Sequence, residues 1–234
     1  MIYYSLITLT ILIITNLFSN VIIIPELDSR DKEDFMIFKG AFNNEEQFCK
    51  SVVKLMEKFN LTMAVETGSN VGLTTKFFES IFNRVDAFEI NKVWLDYSIS
   101  NSRPKCMSNY HLGNSGDILI DVLNNVRDER IFFYLDAHWG SYWPLRDEIK
   151  QITYHFKDNC ILMIDDVKVP GYNEINYDNY NGMECSYEYV KDLIDELFTG
   201  YKVYFLITQK KFRGKLLIIP DSYSLGKELT GDDF

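Results

Sequence analysis

Between residues 63 and 75 the chain reads Met-Ala-Val-Glu-Thr-Gly-Ser-Asn-Val-Gly-Leu-Thr-Thr. Apolar residues end on an acid, two glycines follow, and helix-compatible residues come next. This pattern predicts a buried strand, a tight turn and the start of a helix. A strand that feeds straight into a helix is the opening of a βαβ unit, which commits the chain to a mainly parallel sheet. The turn also limits its ligand. A dinucleotide fold wants G-x-G-x-x-G, so that bare backbone can meet a pyrophosphate. Here only Gly68 and Gly72 are present, and Glu66 stands just before them. A carboxylate there suits a cationic ammonium rather than a diphosphate. Gly68 lets the turn close and a ligand approach, and Gly72 lets the helix start pack near the strand.

The remaining elements repeat the alternation. Helical spacing covers 42–59, with Phe48, Val52, Leu55, Met56 and Phe59 on one face and Asn43 or Asn44 as the N-cap. A second strand is expected at 84–90, and Asn91 caps a helix running to about residue 100. Further strands fall at 110–113, 131–135 and 160–164, and helices at 117–126, 144–156 and 187–198. Two last strands, 201–208 and 215–219, flank a turn-rich link and predict a hairpin. The expected fold is α/β: a doubly wound, mostly parallel seven-stranded sheet with an antiparallel C-terminal hairpin at its edge. Glu89, at the end of the second strand, is placed to accept both hydroxyls of a ribose.

The net charge of −10 argues against a nucleic-acid partner, which needs a basic face. Cys49, Cys106, Cys160 and Cys185 are widely spaced, with no C-x-x-C, and are expected as packed thiols. No charged side chain occurs in residues 1–25, and Ile2 to Ile24 holds 16 apolar residues. That length can span a bilayer. With basic residues only after it, from Arg30, the globular part would face the cytoplasm. A cleaved signal or a plain extension of a cytoplasmic protein are the alternatives. The expected layout is a hydrophobic segment at 1–25, a linker at 26–42, a domain at 43–220 and a polar tail at 221–234.

Glu66-Thr-Gly-Ser-Asn-Val-Gly72, Glu89, Asp136 and the Asp165–Asp166 pair together resemble the class I S-adenosylmethionine-dependent methyltransferases. The likeness covers about residues 44–219. It implies that Glu66, Thr67, Gly68, Ser69, Asn70 and Gly72 form the cofactor turn around the methionine part, and that Glu89 holds the ribose. It also implies that the turn at Asn114 and Ser115 lies beside the adenine and that Asp136 borders the cofactor. The family often carries an aspartate near Asn114, whose amide here replaces it.

Asp136, Asp165 and Asp166 fall at the carboxyl ends of neighbouring strands. Three carboxylates repel unless a charge compensates them, and a hard cation such as Mg²⁺ would do so with oxygen ligands. The layout is similar to metal-dependent O-methyltransferases, where such a set holds a divalent ion against an acceptor hydroxyl. His138 is the candidate general base, beside Asp136. Trp139, Tyr142, Trp143, Lys168 and Tyr172 are the candidate acceptor-binding residues, and the tyrosine- and asparagine-rich loop 172–180, within the polar, aromatic stretch 167–185, reads as a lid. The expected activity is methyl transfer to oxygen on a small-molecule acceptor, a sugar or other hydroxyl compound. The competing readings are a non-catalytic binding module at a membrane and an NAD- or nucleotide-dependent Rossmann enzyme.

Overall fold

The computed structural model describes residues 20–102, 104–126, 129–138, 142–210, 212–224 and 229–234. Ten strands are described: β1 Val21–Ile24, β2 Met63–Thr67, β3 Arg84–Glu89, β4 Met107–Leu112, β5 Ile131–Leu135, β6 Cys160–Ile164, β7 Asn179–Tyr180, β8 Met183–Glu184, β9 Tyr201–Thr208 and β10 Lys215–Pro220. Eight of them form one sheet in the order β1-β9-β10-β6-β5-β2-β3-β4. All neighbours are parallel except the two pairings of β10. β7 and β8 form a separate two-stranded ribbon.

The central strands are buried on both sides, so each apolar run supplies two cores at once. In β5, Ile131, Phe133 and Leu135 face one core, while Phe132 and Tyr134 face the other. The first core is closed by helices Ser115–Leu123, Leu145–Phe156 and Tyr187–Leu197. The second is closed by Gln47–Phe59 and Leu73–Ile81. Helices therefore cover both faces, as a doubly wound sheet requires.

Three features depart from the sequence reading. The hairpin of β9 and β10 is not at the edge. β10 is buried along its whole length and lies between β6 and β9. The edge is β1, whose Ile22 and Ile24 join the second core. Val21–Ile24 therefore pairs with β9 and is not part of a membrane span. No helix among the described residues is long and apolar enough to cross a membrane. Residues 1–19, the rest of the expected anchor, lie outside the described residues. Finally, Asn43 and Asn44 do not cap a helix. Both have left-handed backbone, and the helix begins at Gln47.

The stretch 26–42 and the C-terminus pack on the same body. Phe38 and Phe42 are buried in the second core, as is Phe234. Lys54 Nζ donates to the carbonyls of Asp232 (2.9 Å) and Phe234 (2.6 Å). Asn91 caps Lys92–Asn101, accepting from the N–H of Val93 at 2.9 Å. All four cysteines are free thiols.

Candidate active site

β2, β3, β5 and β6 end side by side, and their carboxyl ends open on one crevice. The glycine turn is fixed there by backbone. The N–H groups of Gly68 and Ser69 both donate to the Phe88 carbonyl at 2.9 Å. Asp136 N–H donates to the Thr67 carbonyl at 3.2 Å, joining the turn to the end of β5. Gly68 has φ 74°, and a Cβ on it would lie 2.6 Å from the Asp136 carbonyl oxygen. Only glycine fits both constraints. Gly72 answers a different need from the one expected. A Cβ on it would meet Ser98 Oγ at 2.0 Å, so it admits the helix Lys92–Asn101 rather than the strand.

Glu66 is buried and accepts the Thr75 hydroxyl. Burial pushes its carboxyl up to about 8; the Thr75 bond pulls it back in part, and Glu79 and Glu89 push it further. In the crevice without a cation, Glu66 is thus held protonated near neutral pH. Glu89 is fixed by two backbone donors, Asn70 N–H at 2.7 Å and Asn91 N–H at 2.8 Å, one to each oxygen. Each oxygen keeps a lone pair for a further donor.

These residues line one cavity of about 460 Å³. Of the expected cofactor residues, Glu66, Gly68, Ser69, Asn70, Glu89, Asn114, Ser115 and Asp136 line it, and His138 stands at the same wall. Thr67 does not line it: its side chain is buried beneath the turn. Asn114 caps the helix Ser115–Leu123 by accepting from Gly116 N–H at 3.0 Å. The Ser115 hydroxyl donates to Glu148, a fully buried carboxyl that burial raises to about 7. The sequence reading missed Gly40, Asn43, Ile90, Trp94 and Pro144, which also line the cavity. Ile90 and Trp94 follow Glu89 closely, and that adjacency was the available signal. Gly40 and Asn43 carried none, because their place depends on how the chain folds back.

The acidic rim divides in two. Asp136, His138 and Asp166 each bring a ligand atom within 4.8 Å of the others. Asp165 is outside this group, contrary to expectation. Its carboxylate takes a buried ion pair with Lys215 and bonds from the Tyr134 hydroxyl and the Asp166 N–H (2.8 Å for the last). Burial, then Asp165 and Asp166, push the Asp136 carboxyl well above the usual range. Burial, then Asp165, lifts Asp166 to about 7, against the pull of Lys215 and Arg213. Oδ1 of Asp166 is buried with no hydrogen-bond partner among the described residues. Two crowded carboxyl groups, one with an orphaned buried oxygen, are the kind of oxygen donors that a hard divalent cation such as Mg²⁺ takes, with the His138 imidazole beside them. Arg213 supplies part of the compensation already, with Nη1 at 3.3 Å from Asp166 and 2.8 Å from Asp178.

His138 is oriented by the 167–185 stretch. The Tyr180 hydroxyl donates to Asp178 at 2.7 Å and also contacts His138 Nδ1. A phenol has one proton, so with that proton on Asp178 the Tyr180 oxygen accepts from Nδ1–H. This leaves the Nε2 lone pair free. The stretch itself is anchored, since Val167, Val169, Ile175 and Cys185 belong to the first core.

The expected acceptor residues do not converge. Lys168 is ion-paired with Glu184 at 2.7 Å, which holds it protonated. The Tyr142 hydroxyl donates to Asp147 at 2.9 Å. Trp143 is buried and stacked on Tyr189, centroids 4.7 Å apart. Tyr172 packs against the first core. None of the four lines the cavity, and Trp139 lies outside the described residues.

No family model matches the sequence, and no curated protein does. Solved structures do match. The O-methyltransferase TomG from Streptomyces achromogenes, involved in tomaymycin synthesis and solved with SAM, shares 12% identity at a TM-score of 0.55, covering 83% of this chain and 91% of its own. An O-methyltransferase from Bacillus cereus in complex with SAH shares 14% identity at a TM-score of 0.55, covering 83% and 92%. An S-adenosylmethionine-dependent methyltransferase from Clostridium acetobutylicum shares 12% identity at a TM-score of 0.50, covering 82% and 99%. The fold of this chain is that of the class I S-adenosylmethionine-dependent methyltransferases.

Proposed function

We propose that the chain transfers a methyl group from S-adenosylmethionine to a hydroxyl oxygen of a small molecule. The observation that carries this reading is the single cavity joining Glu66, Gly68 and Glu89 to Asp136 and His138. One end carries acids suited to an ammonium and a ribose; the other carries a base, His138, and a carboxylate, Asp136, where an acceptor would enter. S-adenosylmethionine, when bound, supplies an electrophilic methyl on a sulfonium. Its transfer to an acceptor oxygen would replace the sulfur–methyl bond by an oxygen–methyl bond and leave a neutral thioether.

The chain's residues contribute alignment and proton handling. Glu66 offers a carboxylate to the ammonium, and Glu89 offers two fixed oxygens to the ribose hydroxyls. Asp136 and Asp166 are the residues that would hold a divalent cation, whose chemistry when bound is to lower the pKa of an acceptor hydroxyl. His138 presents Nε2 to take the hydroxyl proton, with Asp178 Oδ2 at 3.8 Å to stabilise the imidazolium. In-line displacement gains most of its rate from such alignment.

The test is methyl transfer from methyl-labelled cofactor to a panel of small phenols and other hydroxyl compounds, with and without Mg²⁺. Labelled product is expected, and His138→Ala is expected to lower turnover by about 10²-fold or more while S-adenosylhomocysteine still binds. A protein that binds the cofactor but methylates nothing on the panel, with or without Mg²⁺, would count against an oxygen-directed enzyme.

A further inference from the structure

β10 carries one residue that its apolar neighbours do not explain. Leu216, Leu217, Ile218 and Ile219 are buried, and so is Lys215 at the head of the strand. Burying an ammonium is costly unless it is paired. The sheet register sets the pair. Leu216 lies opposite Ile164 in the antiparallel ladder, so Lys215 lies opposite Asp165, the residue after β6. Lys215 Nζ donates to Asp165 Oδ1, and both side chains are fully buried. The rings of Phe48, Phe42 and Tyr134 surround the ammonium, with centroids at 4.6, 5.9 and 6.0 Å. Burial alone would lower the pKa of this amine, but Asp165 and then Glu45 more than offset it, so the amine is charged. Exchanging a buried pair for well-packed neutral side chains is often neutral or stabilising, so stability alone does not call for one here.

The pair reaches the crevice through Asp165. Oδ1 of Asp165 accepts from Lys215 and, at 2.8 Å, from the Asp166 N–H, which occupies both of its lone pairs; Oδ2 accepts the Tyr134 hydroxyl. The bond from the Asp166 N–H holds Asp166 on one side. On the other, the Asp178 N–H donates to the Asp166 carbonyl at 2.9 Å. Between these two bonds Asp166 keeps a left-handed backbone, φ 55°, which aspartate tolerates when its surroundings require it. In that conformation the Asp166 carboxylate, and not that of Asp165, groups with Asp136 and His138. Two successive acids just past one strand therefore differ in kind. Asp165 is paired with a cation that belongs to the chain, and Asp166 keeps a buried oxygen with no partner among the described residues.

We infer that Lys215 is a positioning residue: it occupies Asp165 as a permanent internal cation, so that Asp165 fixes Asp166 and does not itself bind a divalent ion. The carboxylates offered to such an ion are then those of Asp136 and Asp166, one fewer than the three acids at these strand ends. This rests on the proposed reading of Asp136 and Asp166 as the residues that would hold a divalent cation.

Calorimetric titration of the full chain with Mn²⁺ tests this, in wild type, Asp166→Asn, Lys215→Met and the double variant Asp165→Asn/Lys215→Met. The double variant exchanges the ion pair for a neutral one, keeps a side-chain oxygen for the Asp166 N–H, and is expected to fold. It is expected to bind Mn²⁺ within about threefold of wild type, and Asp166→Asn about tenfold or more weaker. Lys215→Met leaves Asp165 without its cation. There Mn²⁺ is expected to bind about tenfold or more tighter than in wild type, and to raise the melting temperature further. A lysine that merely supported the fold would give no such gain. A double variant that loses about tenfold or more in affinity would make Asp165 a ligand and overturn the inference, as would Lys215→Met binding no tighter than wild type. A wild-type chain that binds no Mn²⁺ would give a different result, overturning the cation reading of Asp136 and Asp166 and the inference with it.

Discussion

Glu66 shows how one buried side chain can link ligand, pH and stability. Its carboxyl lies at about 8 in the folded chain against 4.5 for an ordinary glutamate. A carboxyl raised on folding carries no penalty below its unfolded pKa, where both states are protonated. The penalty grows as pH rises from about 4.5 and is complete above about 8, on the order of a few kcal/mol. Glu66→Gln removes the ionisation, so we expect its melting temperature to match wild type near pH 5 and to exceed it at pH 8.5. A cationic ligand reverses the preference. Binding of S-adenosylhomocysteine below pH 8 must release the Glu66 proton, so its affinity should rise between pH 5.5 and 8 in wild type. In Glu66→Gln that rise should shrink and affinity should fall by about tenfold or more. Titrations in buffers of different ionisation enthalpy would detect the released proton.

At this scale the sequence was partly legible. Glu66, Gly68 and Glu89 stood out as an acid–glycine turn and a strand-end acid, and the three line one cavity. Asp165 did not. Its adjacency to Asp166 suggested a shared role, but its partner Lys215 lies 50 residues further along the chain, on the strand beside β6, and no local pattern reveals that pairing.

Among the elements, the glycine turn and β1 carry the clearest consequences. Gly68 combines a left-handed φ with a backbone contact that a methyl group cannot share. Gly68→Ala must therefore move the turn away from Asp136. We expect a loss of about 1–3 kcal/mol of stability and the loss of measurable S-adenosylhomocysteine binding. Denaturant unfolding and calorimetry would read the two effects separately. β1 is an edge strand whose Ile24 is only 2% exposed. Ile24→Asp buries a charge in the second core, at the register position of Thr208, and should lower the denaturation midpoint by the equivalent of about 3 kcal/mol or more. If Val21–Ile24 lay in lipid instead, the stability of the globular part would not change.

The apolar run ending at Ile24 misled because strand and membrane segment share one composition. What separates them is the partner, β9, and a partner is not written in a run of isoleucines. The hairpin was legible as a hairpin but not as an insertion. Its turn chemistry is local, while its place between β6 and β9 depends on the sheet as a whole. The lid reading of 172–180 fell between these cases. Its Tyr180 does contact His138, yet Ile175 and Tyr172 bind the loop to the first core.

For the molecule as a whole, the alternation of strands and helices fixed the doubly wound architecture, and the strand order placed the predicted acids on one crevice. The sheet brings Glu66, Glu89 and Asp136 together because all three sit at or just beyond the carboxyl ends of strands, where topology leaves a cleft. The acceptor side was far less legible. Aromatic residues near Asp136 pointed to a pocket, but Trp143 and Tyr142 have structural partners in Tyr189 and Asp147. An aromatic side chain has the same signature whether it packs or binds. The central claim is therefore about the cofactor, and calorimetric titration with S-adenosylhomocysteine tests it most directly. We predict saturable binding to the wild-type chain with one site per chain, a loss of about tenfold or more in Glu89→Ala, and no competition from NAD. Absence of binding to the wild-type chain, or unchanged affinity in Glu89→Ala, would contradict it.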